Sequence, residues 1–192
     1  MTALSNETVG TATQPLTGDY DIDPKHTRVG FATRHAMVTT VRGQFQSFTG
    51  SAHLDEADPS KSHARIEIDA ASVTTGSDDR DAHLRSPDFF DVEKHPTLLF
   101  ESTKAERTGS DTYRLYGDLT IKGVARPVAV DFELTGSSID PWGGFRVGFE
   151  GAATVNRRDW DLTWNVALEA GGILVSDKVR LEFDVAAVKR AA

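Results

Sequence analysis

Apolar and charged residues alternate one by one along several segments of this chain, and that pattern is typical of β-strands. In residues 179–185 (VRLEFDV), four apolar side chains alternate with three charged ones. The same period recurs in residues 64–70 (ARIEIDA) and in residues 128–134 (VAVDFEL). Successive side chains of a strand point to opposite faces, so each segment predicts a strand with one apolar and one hydrated face.

Short clusters of turn-forming residues are expected to separate the strands. They lie at residues 109–111 (GSD), 136–138 (GSS), 141–144 (PWGG) and 171–172 (GG). From residue 19 onward we expect about eight strands, which predicts an all-β fold with an antiparallel sheet closed into a barrel. A barrel of about this size is either filled by its own side chains or wide enough for one slender ligand, and the alternation fits both interiors.

Length and composition predict one globular domain. The chain has 192 residues, 39% of them hydrophobic, which is enough for a substantial core. We assign the domain to residues 18–192 and expect residues 1–17, which are small, polar and rich in threonine, to be a disordered lead-in.

Charge and the N-terminal sequence restrict the partners and the compartment. The net charge of −8 argues against a nucleic acid or an anionic membrane surface as partner. No apolar run approaches the ~20 residues that a membrane-spanning helix needs. No lysine or arginine precedes Lys25, and no continuous apolar stretch occurs in residues 1–20, so no secretory signal is visible and we expect a cytoplasmic protein. There are no cysteines, which excludes disulfides and thiolate chemistry.

One polar stretch interrupts the strands and carries the signals of a short helix. Three candidate capping residues stand together at 77–79 (SDD), where a side-chain oxygen can accept free N–H groups of a first turn. Pro87 disfavours a helical conformation of the residue before it, so the helix must end there. Residues 88–91 (DFFD) follow with two aromatic rings between two carboxylates. We therefore predict a short helix near residues 78–86 whose apolar tail covers something apolar.

Motifs in two blocks resemble a known family. The first block comprises residues 71–75 (ASVTT), 80–81 (RD), 83–86 (HLRS), 88–91 (DFFD), 95–96 (HP) and 100–102 (FES), and the second comprises Tyr113, 117–124 (GDLTIKGV) and 127–128 (PV). Weaker matches are residues 20–23 (YDID), His26, Phe31, His35, 156–160 (NRRDW) and 175–177 (VSD). With these residues the chain resembles the YceI-like family of polyisoprenoid-binding proteins over roughly residues 18–188. Asp161 stands where the family often has Gly, and Ala125 where Thr is common.

The resemblance implies a lipocalin-like β-barrel with an elongated apolar tunnel. Its implied role is non-covalent binding of one polyisoprenoid or quinone-type lipid, for storage, transport or shielding, without catalysis and without another cofactor. It also makes a homodimer reasonable. Together with strand parity it gives these candidate lipid contacts: Phe31, His35, Phe45, Leu84, Phe89, Phe90, Leu98, Phe100, Leu119, Ile121 and Trp164. Parity alone also points Val29, Ile66, Ile68, Val130, Phe132, Val147, Phe149 and Leu162 inward.

Four arginines near the expected mouth are candidates for holding a polar head group: Arg80, Arg85, Arg157 and Arg158. A guanidinium offers a planar fork of donors that suits a phosphate, and we place Arg157 first among the four. The alternative is that Arg80 and Arg85 pair with Asp79 and Asp81 and only hold the helical turn.

Two other classes of function remain open from the sequence. A barrel enzyme acting on a small apolar or isoprenoid substrate would rely on His35, His83 and Arg157, the visible acid–base candidates. A structural module with a dry, filled barrel would show the same alternation. The six histidines show no metal-binding spacing such as HExxH, so we expect no metal site.

Overall fold

Eleven β-strands and one α-helix form the part of the chain that the computed structural model describes, residues 14–191. The strands are β1 (Gly18–Ile22), β2 (Arg28–His35), β3 (Thr39–Phe45), β4 (Phe48–Leu54), β5 (His63–Asp69), β6 (Val73–Thr74), β7 (Thr97–Arg107), β8 (Thr112–Ile121), β9 (Val124–Ile139), β10 (Phe145–Asn156) and β11 (Val175–Lys189). Helix α1 spans Asp78–Arg85, and three short 3₁₀-helices span Pro59–Lys61, Ala70–Ser72 and Arg157–Trp160.

Eight of these strands close into an antiparallel barrel, which confirms the predicted fold class. The ring runs β1-β4-β5-β7-β8-β9-β10-β11, and β11 returns to β1 through the pairs Ile22–Ala187 and Tyr20–Lys189. The first part of β11 pairs instead with β2, whose hairpin partner β3 is followed by β6. β1 and β2, which are consecutive in the chain, thus pair with different parts of the same edge of β11. Together they complete the barrel wall at one end.

The alternating segments form strands with the predicted faces. In β5, Ile68 is buried, whereas its neighbour Asp69 is exposed. In β11, Leu181 and Phe183 face the interior, while Arg180 is exposed on the outside. Apolar burial at every second residue therefore drives the sheet to close around an apolar interior.

One predicted turn lies inside a strand. Residues 136–138 belong to β9, and the chain reverses only at residues 140–144, where the Asp140 carboxylate accepts hydrogen bonds from the N–H groups of Trp142 and Gly144. The register between β9 and β10 shifts beside Gly148, which opposes Gly136. The glycine and serines of residues 136–138 accommodate a β-bulge, and for this reason the composition of the segment resembles that of a turn.

The structure describes only the end of the expected lead-in, residues 14–17. Residues 1–13 lie outside the described residues, so that part of the prediction is untested. Close to the barrel, the Leu16 N–H donates to Glu56, and the Tyr20 hydroxyl donates to the Leu16 carbonyl at 2.6 Å. Burial raises the pKa of Tyr20 to about 12, which keeps this phenol protonated as a donor. Pro15 and Thr17 also accept hydrogen bonds from barrel residues, so residues 15–17 contact the barrel, and the disorder of the lead-in stays a prediction.

Asp161, one of the two departures from the family pattern, occupies a left-handed backbone conformation. Its φ is +58°, at the end of the 3₁₀-helix Arg157–Trp160. Glycine adopts this region most readily, and Asp is among the residues that tolerate it. A glycine would fit this turn for a backbone reason, and Asp161 preserves the turn. Among the described residues no helix is long and apolar enough to cross a membrane.

Candidate functional site

The barrel encloses an apolar cavity at the end where α1 lies. Its volume is about 520 Å³, and side chains from α1, from most of the strands and from residues 160–164 line it. A second cavity of about 200 Å³ continues toward the opposite end of the barrel. Both are bordered by the same five apolar side chains: Val29, Ile68, Leu119, Leu181 and Phe183. The interior is therefore hollow and elongated, not filled by its own side chains.

Every candidate lipid contact lies on the wall of this interior. The larger cavity is lined by ten of them: Phe31, His35, Phe45, Leu84, Phe89, Phe90, Leu98, Leu119, Ile121 and Trp164. Phe100 lies deeper and lines the second cavity. Contact between these residues and a lipid stays a prediction. Their position on the cavity wall is the position that this prediction requires.

Aromatic rings form much of the wall beside α1. Phe45 lies between Phe31 and Phe90, with ring centroids 6.0 and 5.7 Å apart. Trp164 packs edge-to-face on His83 at 4.5 Å and lies 5.6 Å from Phe89. Trp164 points inward as predicted, but it belongs to the irregular segment 161–174 and not to a strand. Strand parity, on which the prediction was based, therefore does not explain its orientation.

Hydrogen bonds attach α1 to the strand before it. The Asp81 carboxylate accepts from the N–H and the hydroxyl of Thr75 at 2.8 and 2.6 Å. Burial alone would raise the pKa of Asp81, but bonds from Thr75 and Thr74 outweigh it and hold the pKa below its usual range. Asp81 therefore stays ionised at neutral pH and holds the first turn of the helix in place.

Arg85 fastens the end of the same helix and does not line the cavity. Its guanidinium donates to the carbonyls of Ala71 and Val73 at 2.8 and 2.9 Å. The helix ends after Arg85, as Pro87 predicts. Contact between Arg85 and a head group stays a prediction, and these two carbonyls already take donors of its guanidinium. The expected pair with Asp81 is not formed, because both side chains have other hydrogen-bond partners.

Arg157, our first choice for a head group, is built into the wall. Its side chain is only 4% exposed, and its guanidinium donates to the carbonyls of Ser176 and Leu162 at 3.0 and 2.6 Å. A third donor reaches the Val175 carbonyl, and Asp177 lies at 3.2 Å. Burial lowers the pKa of Arg157, while Asp177 opposes that shift. Because these groups occupy its donors, the structure argues against a head-group role.

Arg158 is also directed elsewhere. Its guanidinium donates to Asp177 at 3.0 Å, its side chain is 52% exposed, and it does not line the cavity. Contact between Arg158 and a head group stays a prediction that its position does not favour.

Arg80 is the one of the four arginines that both lines the cavity and reaches solvent. Its guanidinium donates to the hydroxyl and the carbonyl of Thr75 at 2.7 and 3.0 Å, and not to Asp79 as the alternative reading supposed. These two bonds use only part of the guanidinium's five donors. Other polar residues of the same mouth are Thr33, Arg34, His35, Ser77, Asp79 and His83.

Some wall residues were absent from the sequence-based set. Thr33 follows the inward parity of Phe31 and His35, so the alternation contained a signal for it. Arg34 has outward parity and Leu174 lies outside a strand, so no sequence signal pointed to them.

The histidines are the residues on which a catalytic or metal-binding role would depend. The His83 imidazole lies 2.9 Å from the Asp88 carboxylate, and His35 lines the mouth. Within residues 14–191, no group of three or more histidine and carboxylate side chains is arranged to hold a metal ion.

A closed antiparallel barrel with an elongated apolar interior and a polar mouth defines a lipocalin-like β-barrel. The model of the YceI-like domain matches residues 20–187, so the chain belongs to the YceI-like family. A UPF0312 protein of Ectopseudomonas mendocina is 41% identical over 152 residues, covering 78% of this chain and 80% of the relative.

Two solved structures share the fold. BcnA of Burkholderia cenocepacia has a TM-score of 0.74 at 24% identity, covering 86% of this chain and 99% of that protein. A polyisoprenoid binding domain from Saccharophagus degradans has a TM-score of 0.65 at 14% identity, covering 89% and 98%.

Proposed function

We propose that this protein binds one long isoprenoid-type lipid, a polyprenyl or quinone-type molecule, non-covalently inside its barrel. The observation that carries this proposal is the apolar interior, in which two cavities of about 520 and 200 Å³ are bordered by the same five apolar side chains. A slender, flexible tail fits such an interior better than a compact polar molecule. The name of the Saccharophagus degradans domain supports the same class of ligand.

Apolar burial supplies a large favourable term for such a ligand. For an illustrative tail of about 20 carbons, burial at about 0.8 kcal/mol per methylene gives a gross term near 16 kcal/mol. Association costs about 4–15 kcal/mol in lost translational and rotational freedom, and ordering the tail adds to that cost. Binding of this kind requires no catalytic residue, so storage, transport or shielding of the lipid is the role we infer.

The proposal is tested by organic extraction of the purified protein, followed by mass spectrometry. We expect one prenyl lipid per barrel, chemically unaltered after prolonged incubation with the protein. Protein stripped of lipid and titrated with a prenyl quinone should regain the same stoichiometry. Absence of lipid from the extract, together with no uptake on titration, would contradict the proposal, whereas a ligand that is converted would favour the barrel enzyme.

Arg80 is expected to favour ligands with an anionic head, because it lies at the mouth with donors to spare. The Arg80→Ala variant should bind a prenyl diphosphate about 10–100-fold more weakly, since hydrogen bonds to a charged group contribute roughly 1.5–3 kcal/mol. Binding of a neutral prenyl quinone with the same tail should change little. The measurement is a competition titration with the two ligands.

Arg158→Ala is the matched control, since it removes an exposed arginine that does not line the cavity. It should preserve the ratio of the two affinities. If Arg80→Ala also preserves that ratio, the tail alone determines recognition and the head-group role of Arg80 is wrong.

A further inference from the structure

Four large apolar side chains lie exposed on two segments near the mouth of the larger cavity. We call them the apolar rim: Met37, Val38, Val166 and Ile173, exposed to 65%, 74%, 47% and 37%. The first two belong to the turn between β2 and β3, and the other two to the segment 161–174. Exposed apolar residues that occur singly need no explanation, but a group at the entrance of an apolar cavity does.

Direct contacts join the two segments at the mouth. The Ala36 N–H donates to the Leu174 carbonyl at 2.7 Å, and the Met37 side chain lies against Gly172. The residues flanking the rim, His35 and Leu174, line the cavity itself. The apolar rim therefore adjoins residues that line the cavity.

The backbone holds the first segment in an unusual conformation. Ala36 and Met37 have φ values of +50° and +59°, a region that residues with side chains seldom occupy. The Arg34 guanidinium donates to the Met37 carbonyl and to the Thr40 hydroxyl, and these bonds support the turn. Met37 and Val38 are thus exposed by a defined, hydrogen-bonded turn.

We infer that the apolar rim docks on the surface of a lipid bilayer, with the mouth of the barrel facing the membrane. This inference rests on the proposed function, because a long isoprenoid lipid resides in a bilayer and needs a path that avoids water. Insertion of exposed apolar side chains at the interface supplies that path. The net charge of −8 opposes long-range attraction to anionic lipids, so apolar insertion into a neutral bilayer is the mode that fits.

The test is flotation of the protein with vesicles of pure phosphatidylcholine, without added ligand. The double variant Met37→Ser, Val38→Ser should show about tenfold weaker partition onto the vesicles. It lacks two apolar side chains that the bilayer would partly bury. The matched control is Trp142→Ser. This tryptophan is 86% exposed but lies in the turn before β10, at the end of the barrel away from the mouth. The control should float like the unmodified protein.

Several outcomes would overturn the inference. The unmodified protein could fail to float with the vesicles, or the rim variant could float as well as the unmodified protein. The Trp142→Ser control could also lose as much partition onto the vesicles as the rim variant. Loss of a dimer in the rim variant, measured by sedimentation without vesicles, would assign the rim to a second copy of the chain instead.

Retention of a preloaded prenyl quinone in vesicle-free buffer separates this inference from the proposed function. None of the substituted residues lines the cavity, so the rim variant should retain the ligand. If the unmodified protein binds no quinone yet still floats through its rim, the proposed function fails while docking stands. If retention is normal but flotation is absent, docking fails and the proposed function stands.

Discussion

Replacing Leu98 with Trp is expected to remove lipid from the barrel while leaving the barrel folded. Leu98 is 5% exposed, pairs with Ile68 across β5 and β7, and lines the larger cavity. An indole at this position projects into the space that a tail would occupy. The variant should contain at most a small fraction of the normal lipid by extraction and mass spectrometry. Overpacking costs about 1–3 kcal/mol of stability, so β-sheet circular dichroism should persist.

Leu99→Trp is the matched control for this experiment. Leu99 has the opposite parity on β7, pairs with Glu67 and Thr120, and does not line either cavity. We expect this variant to retain the lipid. Normal lipid content in a folded Leu98→Trp variant would show that Leu98 is not part of the binding wall, and equal losses in both variants would point to a general effect on folding.

Replacing Arg157 with Met is expected to destabilise the protein strongly. The change removes one of the two arginines that contact Asp177 and leaves the carbonyls of Leu162 and Ser176 without their donor. Each buried or partly buried carbonyl left without its donor costs about 1–3 kcal/mol, so the two together cost about 2–6 kcal/mol. Urea unfolding at neutral pH should show a loss of this size in the free energy of unfolding.

Arg158→Met provides the comparison, since Arg158 donates to the same aspartate from the surface. Its side chain is 52% exposed, so we expect a loss below about 1 kcal/mol. A stable Arg157→Met variant that selectively loses affinity for diphosphate-headed ligands would contradict the structural role and restore Arg157 as a head-group residue.

The regular part of the fold was predictable because burial repeats along the sequence. The alternation in residues 179–185 identifies both a strand and its inward face, and the structure places Leu181 and Phe183 there. The stop signal at Pro87 likewise gives the end of α1 to within one residue. Both are local effects of backbone geometry, and a single sequence contains local information.

Features that depend on distant partners were not predictable in the same way. Residues 136–138 have turn composition, yet pairing with β10 extends β9 through them. The role of Arg157 is set by carbonyls of residues 162, 175 and 176, which reach it only after the barrel closes. Motif and charge identify a candidate arginine, but they do not tell whether its donors face a ligand or the protein.

The position of β11 has a consequence for how the molecule is made. β11 pairs with β10, β1 and β2, and its bond to β1 joins Ile22 to Ala187 across almost the whole chain. During synthesis, the edges of β1, β2 and β10 stay without this partner until residues 175–189 emerge. Open strand edges invite pairing with other chains, and non-local pairing is slow, about milliseconds to seconds. The protein is therefore most exposed to pairing with other chains in the interval before β11 has been synthesised and paired.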